Sequence, residues 1–314
     1  MNLESETRNG YFIPADMKKV WAIEIKLLIK LLDVCKKYNL NIFAEGGTLL
    51  GTVRHHGFIP WDDDIDMAML RDDYDKLQAI AIDEFKAPYF FQSGYTDLFP
   101  SGMSRIRMDG TAAILPQTLN AECHQGIFID IFPLDAVPDD DKTFKQLLAK
   151  KEIEKEKMML YCNNHLSFSN LKYDWIILKA KLGIWITGFH AFFAKYDNLI
   201  KQYNDKPHRR VSIFSWLFKK RYLRDRDWYN ETIYMQFEDI MIPVPKEYDK
   251  ILTTQYGEYM KPVNESTMHG GFLVLDTERS YTYYLPRLRR EHKMCERKQW
   301  LKHIGVSIKG YMFF

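Results

Sequence analysis

Residues 45–66 read EGGTLLGTVRHHGFIPWDDDID, and this run decides the fold class. Just before it, Leu40–Ala44 is a short apolar stretch with the length of a buried strand. Gly46-Gly47 then marks a tight turn, and Thr48–His55 reads as a short helix that starts directly after it. Beyond Gly57 and Pro60, Asp64–Leu70 has the two-residue period of a strand, with Ile65, Met67 and Met69 on one face and Asp64, Asp66 and Ala68 on the other. Strand, turn, helix and strand in this order predict an α/β (α+β) lobe. A Gly-Gly turn at a helix start offers backbone N–H groups and the positive end of the helix dipole to a phosphate. Four carboxylates in five positions, Asp62, Asp63, Asp64 and Asp66, repel one another unless a cation neutralises them. Strand residues two apart face the same way at ~6.6 Å, so Asp64 and Asp66 can reach one Mg²⁺ or Mn²⁺ while Ile65 anchors the core. An isolated acidic run is more often a solvated loop; the adjoining phosphate seat is what favours a metal here.

Upstream, Val20, Ile23, Leu27, Leu31, Val34 and Tyr38 recur at three- and four-residue steps, an amphipathic helix opened by Pro14 and Asp16 and ending near Asn39. Downstream, Asp72–Phe85 reads as a helix capped by Asp72 or Asp73, and Tyr89–Ser93, Ser104–Asp109 and Gly126–Phe132 as strands. After Pro138 the texture changes to a Lys/Glu-rich helical segment reaching Cys162 and a second one from Tyr173 to Tyr203. A strand over Met235–Pro243, a helix over Pro245–Tyr256 stopped by Gly257, and a basic surface tail from Arg287 complete the reading. The 314 residues thus divide into a catalytic lobe with its N-terminal helix, 1–138, and a mostly helical lobe, 139–314, whose C-terminal elements complete the site.

Composition narrows the class. With 46% hydrophobic and 15% aromatic residues the chain can bury a large core, which excludes a disordered or fibrous protein. A net charge of +2 gives no global pull toward nucleic acid, and no RRM or KH motif is present, so no nucleic-acid partner is expected. Cys35, Cys123, Cys162 and Cys295 are scattered, without zinc spacing, which fits a reducing compartment. The polar start MNLESETRNG predicts no signal peptide, and the uncharged run Leu182–Ala194 is shorter than the ~20 residues of a membrane span. A cytoplasmic protein is expected. Trp175–Phe193 and His208–Arg226 combine aromatic and basic residues, including Arg209, Arg210, Arg224 and Arg226. Such segments fit either peripheral contact with an anionic membrane or packing between lobes.

GGTLLGTVRHHGFIPWDDDIDM resembles the signature of the LicD family of phosphotransferases, which is similar also to fukutin and fukutin-related protein, within the nucleotidyltransferase superfamily. The likeness continues in SRIRMDGTAAI (104–114), GIFIDIFPLD (126–135) and YGEYM (256–260). It implies a nucleotidyltransferase-like mixed sheet with flanking helices, and transfer of a phospho-alcohol, typically phosphocholine from CDP-choline. The implied acceptor is a sugar of a cell-surface glycan (capsule, teichoic acid or lipopolysaccharide) or its lipid-linked precursor, with CMP leaving. Carried onto this chain, it makes Asp64 and Asp66 metal ligands and Asp130 the third carboxylate, a further ligand or the base for the acceptor hydroxyl. Asp130 alternates with Ile129 and Ile131, so it can face away from the core. Glu45, Gly46, Gly47 and Thr48 then form the donor seat.

Arg54 could pair with substrate phosphate or brace the carboxylates, and Arg105 and Arg107, two apart on a strand, suit two phosphates of a nucleotide diphosphate. Trp61 beside the acids could form a cation–π wall for choline, with Tyr95 or Phe99 as further candidates, and His269 could reach in from the second lobe. His55 and His56 diverge on a helix and are substrate contacts at most. Two rival functions fit the same residues: nucleotidyl transfer from an NTP with pyrophosphate release, and a non-catalytic glycan-assembly scaffold.

Overall fold

The computed structural model describes residues 1–162, 171–214, 223–261 and 271–303. A small hairpin, β1 (Glu6–Arg8) and β2 (Tyr11–Ile13), leads through Pro14 into α1 (Ala15–Lys37). Pro14 is extended, as its ring and missing N–H favour just before a helix. The apolar stripe of α1 buries Trp21, Leu27, Leu28, Leu31 and Val34 in the main core. There follow β3 (Phe43–Ala44), α2 (Gly46–His55), β4 (Asp66–Leu70), α3 (Arg71–Glu84), β5 (Tyr89–Gln92), β6 (Ser104–Met108), β7 (Ala112–Ile114) and β8 (Phe128–Val137). The fold is a mixed α/β one, as expected.

The ten-residue β8, buried throughout, is the spine of a seven-stranded sheet. One edge of β8 runs parallel to β4, in the register Asp66↔Asp130. Its other edge pairs antiparallel first with β6, in the register Arg105↔Asp130, and then with β9 (Arg210–Ser212), which in turn pairs with β10 (Arg224–Asp225). The sheet therefore continues across Pro138: strands from the second half of the chain extend the first half's sheet.

The helices α4 (Asp141–Cys162), α5 (Leu171–Thr187) and α6 (Phe189–Lys201) form a second small core around Phe144, Leu147, Met158, Ile184, Phe189, Phe193 and Tyr196. It is tied to the sheet by Arg71, which donates to both Asp135 oxygens at 2.6 and 2.7 Å and to Asp197 at 3.1 Å. The hairpin β11 (Thr232–Phe237) and β12 (Ile240–Pro245), then α7 (Tyr248–Tyr256), β13 (Val274–Asp276) and α8 (Tyr281–His303), complete the described residues.

Several boundaries differ from the sequence reading for identifiable reasons. The helix after the Gly-Gly turn begins at Gly46, whose φ of 52° only glycine adopts cheaply. The strand starts at Asp66, so Asp64 lies in the segment entering it rather than on the strand with Asp66. α3 starts at Arg71 without a side-chain cap from Asp72 or Asp73. The helical stretch from Tyr173 to Tyr203 is two helices, broken at Gly188 with φ 79°. Met235–Pro243 spans the turn of a hairpin, made at Glu238-Asp239, where Glu238 takes a φ of 51°.

Candidate active site

The parallel register sets Asp66 and Asp130 side by side on β4 and β8, and the β6 register sets Arg105 on the far side of Asp130. Three neighbouring strands thus present acid, acid and guanidinium at one level of the sheet. The segment entering β4 adds Asp64, and ligand oxygens of Asp64, Asp66 and Asp130 all lie within 4.8 Å of one another; the same holds for Asp62, Asp63 and Asp64. Asp66 and Asp130 are buried. Arg105 donates to Asp130 through Nε at 2.6 Å and Nη2 at 3.3 Å, with its guanidinium carbon 3.9 Å from the Phe128 ring centroid and 4.9 Å from that of Phe99.

Burial, then the charges of Asp64, Asp130 and Asp62, pushes the Asp66 carboxyl well above the usual range. Asp64 is pushed up to about 8 by burial, Asp63 and Asp130, and Asp62 rises well above its ordinary value through burial with Asp64 and Asp63. Acids packed this way favour their protonated forms until a cation arrives. Asp66 Oδ1 is buried with no hydrogen-bond donor among the described residues, which is what a metal-binding oxygen requires. Hard carboxylate oxygens at this spacing fit Mg²⁺ or Mn²⁺. The residues present therefore fit the metal.

The Gly-Gly turn is fastened to this cluster. The Asp66 N–H donates to Thr48 Oγ1 at 2.8 Å, and the Glu45 N–H donates to the Asp66 carbonyl at 3.0 Å. A Cβ on Gly47 would collide with the Asp62 carboxylate, so the second glycine is what lets an acid lie against the turn. Glu45 itself points into the protein, not toward a ligand: both its oxygens accept from Arg224, which also bonds Tyr229 and Gln255, and both ionic side chains are 1% exposed.

Other expected residues lie elsewhere. Arg54 donates to the Tyr259 carbonyl at 2.8 Å and to His55 Nε2 at 2.9 Å, tying α2 to the YGEYM segment rather than bracing the acids. Arg107 is wholly buried on Gln92 and the Gly126 carbonyl, with its guanidinium carbon 4.6 Å from the Phe128 centroid, while its Nη2 and Arg105 Nη1 have no acceptor among the described residues. Trp61 is half-buried, edge-on to Tyr11 at 6.0 Å and His55 at 6.3 Å. Burial and the charge of Arg54 push the His55 pKa down to about 4, so that ring is neutral at pH 7. Tyr95 bonds Asp197 and packs on Phe193, and Phe99 lies beneath Arg105; neither forms a wall beside Trp61. His269 lies outside the described residues.

Two further residues belong to the surroundings of the site. Glu24 on α1 is buried with Oε2 unpartnered among the described residues, and burial, followed by the charges of Asp64, Asp63, Asp62 and Asp130, raises its pKa well above the ordinary value. Its signal was present, since position 24 falls on the apolar stripe of the helix with Val20, Leu27 and Leu28. Arg224, in a segment that fits either membrane contact or packing between lobes, is 2% exposed, because Glu45 holds it inside.

Residues 39–174 match the family described as "LicD/FKTN/FKRP, nucleotidyltransferase domain". The chain is 30% identical over 263 residues to the lipopolysaccharide cholinephosphotransferase LicD of Haemophilus influenzae, covering 78% of this chain and 93% of that protein. Shorter likenesses join it to an uncharacterized protein of Rickettsia prowazekii, 44% identical over 64 residues (20% of this chain, 22% of that protein), and to one of Rickettsia typhi, 41% over 63 residues (20% and 18%).

Proposed function

The chain belongs to the LicD family of phosphotransferase enzymes, and from that premise we propose that it moves phosphocholine from CDP-choline to a sugar hydroxyl of a cell-surface glycan or its lipid-linked precursor, on the cytoplasmic side of the membrane, releasing CMP. One juxtaposition carries the reading. On the two strands flanking Asp130, a buried acceptor (Asp66 Oδ1) without a donor among the described residues stands opposite a buried donor (Arg105 Nη1) without an acceptor among them. The first calls for a cation and the second for an anion, and a metal-bound phosphate meets both demands.

Asp64, Asp66 and Asp130 would hold the divalent ion, which when bound neutralises pyrophosphate charge and orients the reacting phosphorus. Asp130 acts as a ligand rather than a base, because Arg105 already occupies both its oxygens and fixes its orientation. The turn at Gly46-Gly47 seats a donor phosphate on the amino end of α2, and Arg105 Nη1 takes up charge developing on the transferred group. The acceptor oxygen bonds to the choline-bearing phosphorus as the bridging P–O bond to CMP breaks and its electron pair leaves with CMP. The hydroxyl proton passes to Asp62, a partly exposed carboxylate beside Asp64 that is not one of the three ligands. Positioning and charge stabilisation suffice for such a transfer without a covalent nucleophile. The rings of Tyr11, His55 and Trp61 are the seat for the quaternary ammonium, and a neutral His55 does not repel it.

The test is thermal melting with Mg²⁺ and, separately, CDP-choline, CDP-ethanolamine, CDP-glycerol, CDP-ribitol, CTP and UTP, followed by CMP release in the presence of a lipopolysaccharide acceptor. Saturation at ~100 times the dissociation constant adds ~2.7 kcal/mol. A shift with CDP-choline that needs Mg²⁺ and vanishes in Asp66→Asn is the expected result. Another CDP-alcohol would replace the donor, a shift with NTPs alone would mean nucleotidyl transfer, and none at all would leave a scaffold.

A further inference from the structure

Helix α5 carries large apolar side chains on its outer surface. Trp175 is 58% exposed, Leu178 44%, Leu182 54%, Trp185 81% and Ile186 68%, whereas Ile184 is 4% exposed and sits in the helical core. At ~100° per residue these five fall within an arc of ~100°, with Ile184 on the opposite side. Lys179 and Lys181 flank the arc, one on each edge, and the Lys179 ammonium lies 5.3 Å from the Trp175 ring centroid. A Trp stands toward each end of the stripe, ~15 Å apart along the axis.

The chemistry of this face names its occupant. Another protein surface would favour a compact apolar centre with charge kept to a distant rim. Here the lysines border the stripe directly, where their stems can lie along apolar matter while the ammonium groups reach upward to anions. Indole rings prefer the boundary between hydrocarbon and water. No helix among the described residues is long and apolar enough to cross a membrane, so the contact lies in the plane of the surface.

We infer that the outer face of α5 docks the protein on a lipid bilayer with anionic headgroups, with Trp175, Leu178, Leu182, Trp185 and Ile186 at the acyl boundary and Lys179 and Lys181 against the headgroups. The inference rests on neither the donor nor the cation. It places the protein where a lipid-linked glycan would lie.

Flotation of the full chain with vesicles tests it in the absence of substrate, so that its failure and a failure of the proposed reaction are separately visible. The chain is expected to float with equal parts of phosphatidylethanolamine and phosphatidylglycerol, and far less with phosphatidylcholine alone. Trp185→Ser/Ile186→Ser should weaken partitioning about 100-fold with an unchanged melting temperature, since both side chains are mostly solvated already. Lys179→Gln and Lys181→Gln should each weaken it about fivefold and flatten its salt dependence. These milder variants decide the matter if the double one fails to fold. Equal flotation of the Lys and apolar variants with the parent, no flotation of the parent, or a dimer in solution that the apolar variant dissociates would each overturn the inference, the last by assigning the face to a second copy.

Discussion

Arg224→Met should cost about 3–5 kcal/mol of stability, because it leaves a buried carboxylate without its counter-charge. Arg224 donates to both Glu45 oxygens, and each side chain is 1% exposed, so water cannot take over the lost bonds. At about 2 °C per kcal/mol for a chain of this size, the melting temperature should fall by about 6–10 °C. Thermal unfolding followed by circular dichroism should be run on the parent, Arg224→Met, Glu45→Gln and the double variant. The double variant removes the stranded charge, so it should lose less than about 2 kcal/mol and melt above Arg224→Met. If the two single losses simply add, or if Arg224→Met melts within about 2 °C of the parent, the account of this pair is wrong. The effect should also reach the site, because the Glu45 N–H donates to the Asp66 carbonyl. At temperatures where Arg224→Met remains folded, it should bind CDP-choline more weakly than the parent.

Asp66→Asn should lower transfer at least ~100-fold and abolish stabilisation by Mg²⁺, yet raise the melting temperature without metal, since it removes one of several mutually repelling buried acids. The pH dependence has a definite sign. Asp64 ordinarily titrates at 3.8 and is pushed up to about 8 in the folded protein, so between those values the unfolded chain binds fewer protons. Stability in chelator should therefore fall as pH rises from about 4 to 8, and the gain from Mg²⁺, which needs the deprotonated acids, should grow over the same range. Both trends are read from melting temperatures across pH. Arg105→Ala should lower turnover and Arg105→Lys should not restore it, because an ammonium cannot reproduce the two bonds to Asp130 or the stacking on Phe128. Gly47→Ala should cost ~1–3 kcal/mol and weaken nucleotide binding by driving a methyl group into the Asp62 carboxylate, as melting with and without CDP-choline would report.

The elements that build the site were legible where their chemistry is local. The Gly-Gly turn, the acid run and the alternation around Asp130 each have a short-range signature, and the register Asp66↔Asp130 brings them together. Less legible was everything decided by partners distant in sequence. Arg105 and Arg107 read as a matched pair, but Asp130 claims the first and Gln92 with the Gly126 carbonyl claims the second. Arg224 reads equally as a membrane-facing or an inter-lobe cation, because nothing near it in sequence announces Glu45, 179 residues away. Arg54 lies near the acids along the chain, which suggests a phosphate or carboxylate partner, while the carbonyl it meets belongs to Tyr259. Glu24 could have been found, as an acid on the apolar stripe of a helix is expensive and asks for a reason.

The extension of the sheet by β9 and β10 bears on how such a protein can change over evolutionary time. Residues 39–174 contain the turn, all three acids and Arg105, and look like a portable cassette. They are not self-sufficient, since the ion pair that locks the turn closes only with Arg224, from an edge strand laid down later in the chain. Grafting the cassette into another scaffold would import an unneutralised Glu45. Lineages are therefore expected to exchange Glu45 and Arg224 as a pair or not at all, and to diversify specificity in the helices and surface, leaving the two halves of the chain bound to a common history.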